Sequence, residues 1–155
     1  MNYSDKSPFG VTNLRKDRIQ DKGDFMPVLT QTVKNRLSTI LSVFSALVFL
    51  QTLFFKFTGQ DESVHIFSTL GIEPWGRIGT GSVEFFVAAL LIFPASRFVG
   101  ALVGFGLMIG AVLSHLLFLG IVVDDDGGLL FALAVSVLVS CIIILNLEWD
   151  HRPPT

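Results

Sequence analysis

The chain is predicted to be an all-α membrane protein, an up-down bundle of four transmembrane helices. Two observations carry that expectation. It is 51% hydrophobic and only 15% charged over 155 residues, with a mean hydropathy of +0.65, far from a soluble composition. Its apolar residues also fall into four runs, each long enough for the roughly 20 residues that a helix needs to cross a hydrocarbon core.

The chain opens on a polar stretch, residues 1–36, with no long apolar core and therefore none of the character of a cleavable signal peptide. Met1 to Gly23 is expected to be mobile, and Pro27 should interrupt any helix begun before it. Residues 24–36 (DFMPVLTQTVKNR) place a short apolar patch beside Lys34 and Arg36. They could lie along the headgroups or serve as a plain linker.

The first span is expected over 37–57, the second over 76–93, the third over 98–122 and the fourth over 129–147, with a short tail at 148–155. Residues 58–75 read as the one sizeable loop, Pro94 to Arg97 as a tight turn, and Asp124 to Gly128 as a short, solvated acidic turn. Such short connections force neighbouring helices to run antiparallel.

Orientation follows from Lys and Arg. Lys6, Arg15, Lys16, Arg18, Lys22, Lys34 and Arg36 precede the first span, and Arg97 and Arg152 fall on the same side of the bilayer as they do. Only Lys56 and Arg77 lie opposite, so both termini are predicted to be inside. Trp75 and Trp149 then sit at opposite interfaces, as an aromatic belt would place them. Asp5, Asp17, Asp21 and Asp24 interleave with the basic tail, which argues against nucleic-acid binding and for a basic flank at a membrane surface. The single cysteine, Cys141, excludes an intrachain disulfide or dithiol pair.

Within the second span sits Glu84. An ionisable group at such a position is expensive and is a functional-site hypothesis by default. It lies eight residues, roughly 12 Å, below the outer start of its helix at the standard rise. His115 in the third span and Ser136 in the fourth come to similar depth, and Lys56 ends the first. Phase puts Ser38, Ser42, Ser45, Thr52 and Lys56 on one stripe, Arg77, Gly81 and Glu84 on another, and Gly104, Met108, Ala111 and His115 on a third. Gln51 falls nearly opposite Lys56. The glycines of the second and third spans suit close packing of membrane helices.

An outer-half pocket lined by Lys56, Arg77, Glu84 and His115, with Ser136 nearby, is the expected result. Glu84 and His115 are its candidate working groups, as proton relay or as head-group contacts, and Lys56, Arg77 and Ser136 its candidate binding groups. The same residues admit plainer roles. Glu84 could fix helix register through an ion pair with Lys56 or Arg77, His115 could make an interhelical hydrogen bond, and Lys56 and Arg77 could be interfacial anchors. His65 and His151 read as solvated.

No metal-ligand set, nucleophile elbow or phosphate loop is present. Haem would need a second strong axial ligand, and only a weaker pairing of His115 with Met108 is available. Proton-linked chemistry, or a hydrophobic ligand with a polar head such as a quinone, is what remains.

The runs FFKFTG (54–59), FSTLGIEPW (67–75) and GRIGTGSVEFFVAALLI (76–92), followed by GAVLSHLLFLG (110–120), resemble the DoxX-like family of small four-helix membrane proteins over about residues 37–147. The resemblance does not extend to the 36-residue tail. That family includes a subunit of an archaeal thiosulfate:quinone oxidoreductase and a mycobacterial protein linked to oxidative-stress enzymes. The resemblance implies a redox or quinone association at the bacterial inner membrane, with Lys56, Glu84 and His115 as the family-typical polar positions. It implies a redox-associated subunit, or an oxidoreductase subunit if the chain is an enzyme at all. A structural or assembly partner of another membrane protein, without catalytic activity of its own, and a small proton-linked transporter are the alternatives; the glycine faces of the third span could also serve a second copy of the chain in a homo-oligomer. The transporter is disfavoured because four helices leave little room for inverted repeats.

Overall fold

The computed structural model describes the backbone of residues 9–149 and the side chains of residues 31–149. In order the elements are α1 (Phe9–Thr58), α2 (Asp61–Thr69), α3 (Trp75–Ile92), α4 (Arg97–Ser114), a π-helical turn (His115–Leu119) and α5 (Leu129–Trp149). The mobility expected for the first residues and the positions of His151 and Arg152 lie outside the described residues. Residues 9–36 are helical, and the helix continues through Pro27, so the expected interruption is absent. Proline in a helix interior is costly, yet a bent helix can absorb it.

Among the described residues four helical segments are long and apolar enough to cross a membrane: Gln31–Thr58, Trp75–Ile92, Arg97–Leu119 and Leu129–Trp149. Large apolar side chains such as Phe54, Phe86, Leu117 and Phe118 stand out from them, as a bilayer requires and water would penalise.

Two departures from the expected boundaries matter for function. The stretch read as a loop contains α2, bracketed by Gly59 and Gly71, both at positive φ. And the third span stops at Leu119 rather than Val122, where Gly120 takes φ +83°, a left-handed conformation that ends a helix cheaply only at glycine.

The bundle packs around small residues. A Cβ at Gly100 would stand 2.9 Å from the backbone nitrogen of Leu91 and 2.9 Å from Leu90 Cβ, so glycine is what lets α4 lie against α3 at this end. At Gly104 a Cβ would meet Cys141 Sγ at 3.2 Å, Val87 at 3.3 Å and Phe49 at 3.4 Å. Side chains from α1, α3 and α5 therefore converge on one glycine of α4. Around it lie Phe49, Val87, Leu91, Ala101, Val137, Cys141 and Ile144, all essentially inaccessible.

At the end of the bundle away from α2, polar groups close the core. Arg97 is buried and its Nη1 donates to Ser38 Oγ at 3.2 Å and pairs with Glu148 at 3.4 Å, while Ser38 Oγ donates to Glu148 at 2.5 Å. Further along the same stripe of α1, Ser42 and Ser45 are wholly buried, and among the described residues their hydroxyls have no hydrogen-bond partner.

Candidate functional site

At the α2 end, the helices surround a cavity of about 820 Å³ lined by residues of α1, α2, α3, α4 and α5. Its polar wall is built from the last two turns of α1. Thr52 and Lys56, one turn apart, both reach Glu84 of α3. Lys56 Nζ lies 2.9 Å from Glu84 Oε2, and Thr52 Oγ1 donates to the same oxygen at 3.1 Å. The glutamate is 6% exposed, so its charge is met by a cation and a hydroxyl rather than by water, as a buried carboxylate requires. Gly81, one turn before Glu84, is packed by the lysine stem: a Cβ there would lie 3.5 Å from Lys56 Cβ.

His115 lines the cavity from the first position of the π-helical turn that follows α4. Its Nδ1 is 2.9 Å from the carbonyl of Gly120. A carbonyl only accepts, so Nδ1 carries the proton of this contact, and Nε2 is the nitrogen left for a ligand, an acceptor in the neutral tautomer. The backbone returns the contact, with Gly120 N–H donating to the His115 carbonyl at 2.8 Å. The wider π turn creates this reciprocal pair, and such turns are frequent at functional sites. The ring also meets Phe131 edge-on at 5.7 Å. Met108, two turns earlier, lines the same cavity. Among the described residues no hydrogen bond or ion pair joins His115 to Glu84, and the two face one space from different helices.

Two expected members stand elsewhere. Arg77 shares the face of Glu84 but lies seven residues, roughly 10 Å, further along the axis at the standard rise. It pairs with Glu73 at 2.7 Å and donates Nη1 to the Lys56 carbonyl. A guanidinium there satisfies an orphan carbonyl at the C-terminal end of α1 and suits the negative end of its dipole. Ser136 is exposed and donates to the Ala132 carbonyl in its own helix at 2.8 Å. It sits two residues, about 200° of helical phase, from the cavity-lining Ala134, so matching depth did not bring it to the site.

Two groups that the sequence reading left out complete the wall. The helix α2 buries Ser63 and Phe67 and places Glu62 and Ile66 on the cavity. Gly59, the acidic first turn at Asp61 and Glu62, and Gly71 after the last turn were the signals for it. The turn read as solvated is ordered: Asp126 accepts the backbone N–H groups of Val123 at 3.0 Å, Gly128 at 2.8 Å and Leu130 at 2.8 Å, capping the start of α5. These bonds hold its carboxyl below the usual range. Burial, and then the charges of Asp126 and Asp124, push Glu62 above it. Asp124 and Asp125 take positive φ to make the turn, a conformation that aspartate tolerates better than most residues.

The site thus offers a buried glutamate held by the half-buried Lys56 and Thr52, a histidine whose Nε2 is left for a ligand, and long apolar walls. Among the described residues no group of three or more His, Cys, Asp or Glu is placed to hold a metal ion. A family model described as the DoxX-like family matches residues 40–142. No curated protein and no solved structure matches the chain.

Proposed function

The chain belongs to the DoxX-like family, and from that premise we propose that it binds a small hydrophobic ligand with a polar head, of quinone type, as a redox-associated membrane protein. The observation that carries this reading is the shared cavity: about 820 Å³, a volume usual for ligand pockets, with Lys56, Thr52 and Glu84 on one wall and His115 on another. Lys56, an ammonium with three protons of which Glu84 engages one, is a donor suited to a carbonyl oxygen. The free Nε2 of His115 suits a hydroxyl, so the pocket can address both the oxidised and the reduced head of such a ligand. The Lys56 to Glu84 pair and His115 are also the groups through which a proton would pass as the head changes state. Both termini inside a bacterial inner membrane, with the cavity in the outer half, is the orientation we propose from the Lys and Arg distribution.

The test is equilibrium binding of a short-tailed benzoquinone to the full-length protein in lipid nanodiscs. Lys56→Met and His115→Ala are each expected to weaken binding tenfold or more, and Ser136→Ala to leave it unchanged. Absence of binding, or binding indifferent to both substitutions, overturns the ligand reading. A second reading, in which Lys56, Thr52 and Glu84 only hold α1 to α3 within a larger assembly, is favoured by one feature: Lys56 and Glu84 already satisfy each other. Under it the same variants lose stability with no ligand effect to lose.

A further inference from the structure

We infer that the cavity is entered from the side, out of the bilayer, and that its occupant is an amphiphile whose hydrocarbon chain lies along the glycine face of α4. This rests on reading the cavity as a ligand site and adds where the ligand comes from and what part of it the apolar wall holds. At the water-facing end the space is covered by α2, which contributes Ile66 and the buried Phe67, and by the ordered Asp126 turn. Toward lipid it is not covered. Leu102 lines the cavity and is nonetheless 52% exposed, and Val103, Gly106 and Gly110 behind it are exposed liners as well. In a membrane-spanning helix such a surface faces acyl chains, so the cavity and the bilayer interior are one continuous apolar space.

The glycines of α4 divide into two kinds. Gly100 and Gly104 are filled by neighbours, whereas a Cβ at Gly106 or Gly110 would meet nothing within 4 Å. One turn apart, these two leave a shallow strip with no side chain to fill it. Helix packing does not use that strip, and a hydrocarbon chain can. The strip itself faces about 140–180° of helical phase away from His115, but the cavity lining continues round α4 from it through Leu107, Ala111 and Ser114 to His115, so a chain that starts on the strip and follows this lining would carry its polar head to the histidine and the Lys56 to Glu84 pair. An amphiphile so bound leaves its chain in an environment as apolar as lipid and buries only its head among hydrogen-bonding groups, which is the arrangement that desolvation allows.

The test uses the full-length protein in phosphatidylcholine nanodiscs doped with a long-chain alcohol carrying a mid-chain diazirine, with photolabelled residues mapped by mass spectrometry. Labelling at Leu107 and Ala111 is expected to match or exceed that at the lipid-facing Phe86 and Leu117. Gly106→Leu with Gly110→Leu should lower the cavity labels at least tenfold and leave Phe86 and Leu117 unchanged. Gly110→Ile alone should lower them in the same sense if the double variant does not fold. Cavity residues labelled no more than the packed core at Val137, or labelled instead by a short water-soluble diazirine acid, overturn the inference. Quinone binding that survives such a result would leave the head-group reading standing, and chain labelling without quinone binding would leave this one.

Discussion

The Lys56 to Glu84 pair makes an asymmetric prediction. Lys56→Met preserves the stem that packs on Gly81 but leaves Glu84 Oε2 with the Thr52 hydroxyl alone. The Glu84 side chain is 8% exposed and nine residues, roughly 13 Å, along α3 from Trp75 at the standard rise, too deep for its short stem to reach water. Removing one partner of a buried pair costs about 3–5 kcal/mol. Glu84→Gln is milder, because the amide keeps the Thr52 contact and the freed ammonium can snorkel on its flexible stem. That variant loses about 1.5–3 kcal/mol, the worth of a charge-assisted hydrogen bond. The double variant buries no lone charge and should be more stable than Lys56→Met alone. Unfolding of the full-length protein by dodecyl sulfate in mixed micelles, followed by circular dichroism, yields all three values. Equal single costs, or a coupling below about 0.5 kcal/mol, the noise of independent sites, would refute the reasoning.

Gly100→Ala should cost about 1–3 kcal/mol in the same assay because it drives a methyl into the backbone of α3, whereas Gly106→Ala should be neutral or slightly stabilising, since it meets open space and improves helix propensity. Ser45→Ala removes a buried hydroxyl that has no partner among the described residues and should be neutral or stabilise by up to about 1 kcal/mol; a clear loss would mean that the hydroxyl is paired in the membrane. The two acidic groups at the cavity roof should respond to pH with opposite signs. Asp126, held below the usual carboxylate range by the N–H groups of Leu130, Val123 and Gly128, contributes stability above that range and loses it as pH falls through its lowered value. Glu62, raised by burial and then by Asp126 and Asp124, contributes below the range and loses its contribution as pH rises through its raised value. Carboxyl chemical shifts of Glu62 in wild type and Asp126→Asn check this, and a Glu62 midpoint that fails to fall in the variant sinks it.

The residues show why parts of the site were legible in the chain and others were not. Phase and depth showed that Glu84 needs a cation and left Lys56 and Arg77 as the choices; the structure takes Lys56, whose long flexible stem reaches the carboxylate. Arg77 satisfied phase but not depth, and it took the nearer partners, Glu73 and the Lys56 carbonyl. Ser136 satisfied depth but not phase, because in a helix apolar on every side nothing in the sequence marks which face is inward. The acidic turn is solvent-exposed as expected, but the backbone bonds of Asp126 at the start of α5 went unread, because its charge was weighed and its position before a helix was not.

The membrane class and the presence of four long apolar helices were determined by the sequence alone, for a physical reason: in hydrocarbon every backbone group must be satisfied within its own helix, so length and apolarity suffice to mark a span, whereas the buried Arg97 to Glu148 pair was not foreseen. What the tertiary structure decided was which of the polar groups meet, that α2 and the Asp126 turn cover one end of the cavity, and that Gly100 and Gly104 are filled while Gly106 and Gly110 stand open. Those outcomes depend on rotation and splay of the helices about one another. Such angles are set by contacts between distant residues, and no local pattern along the chain encodes them.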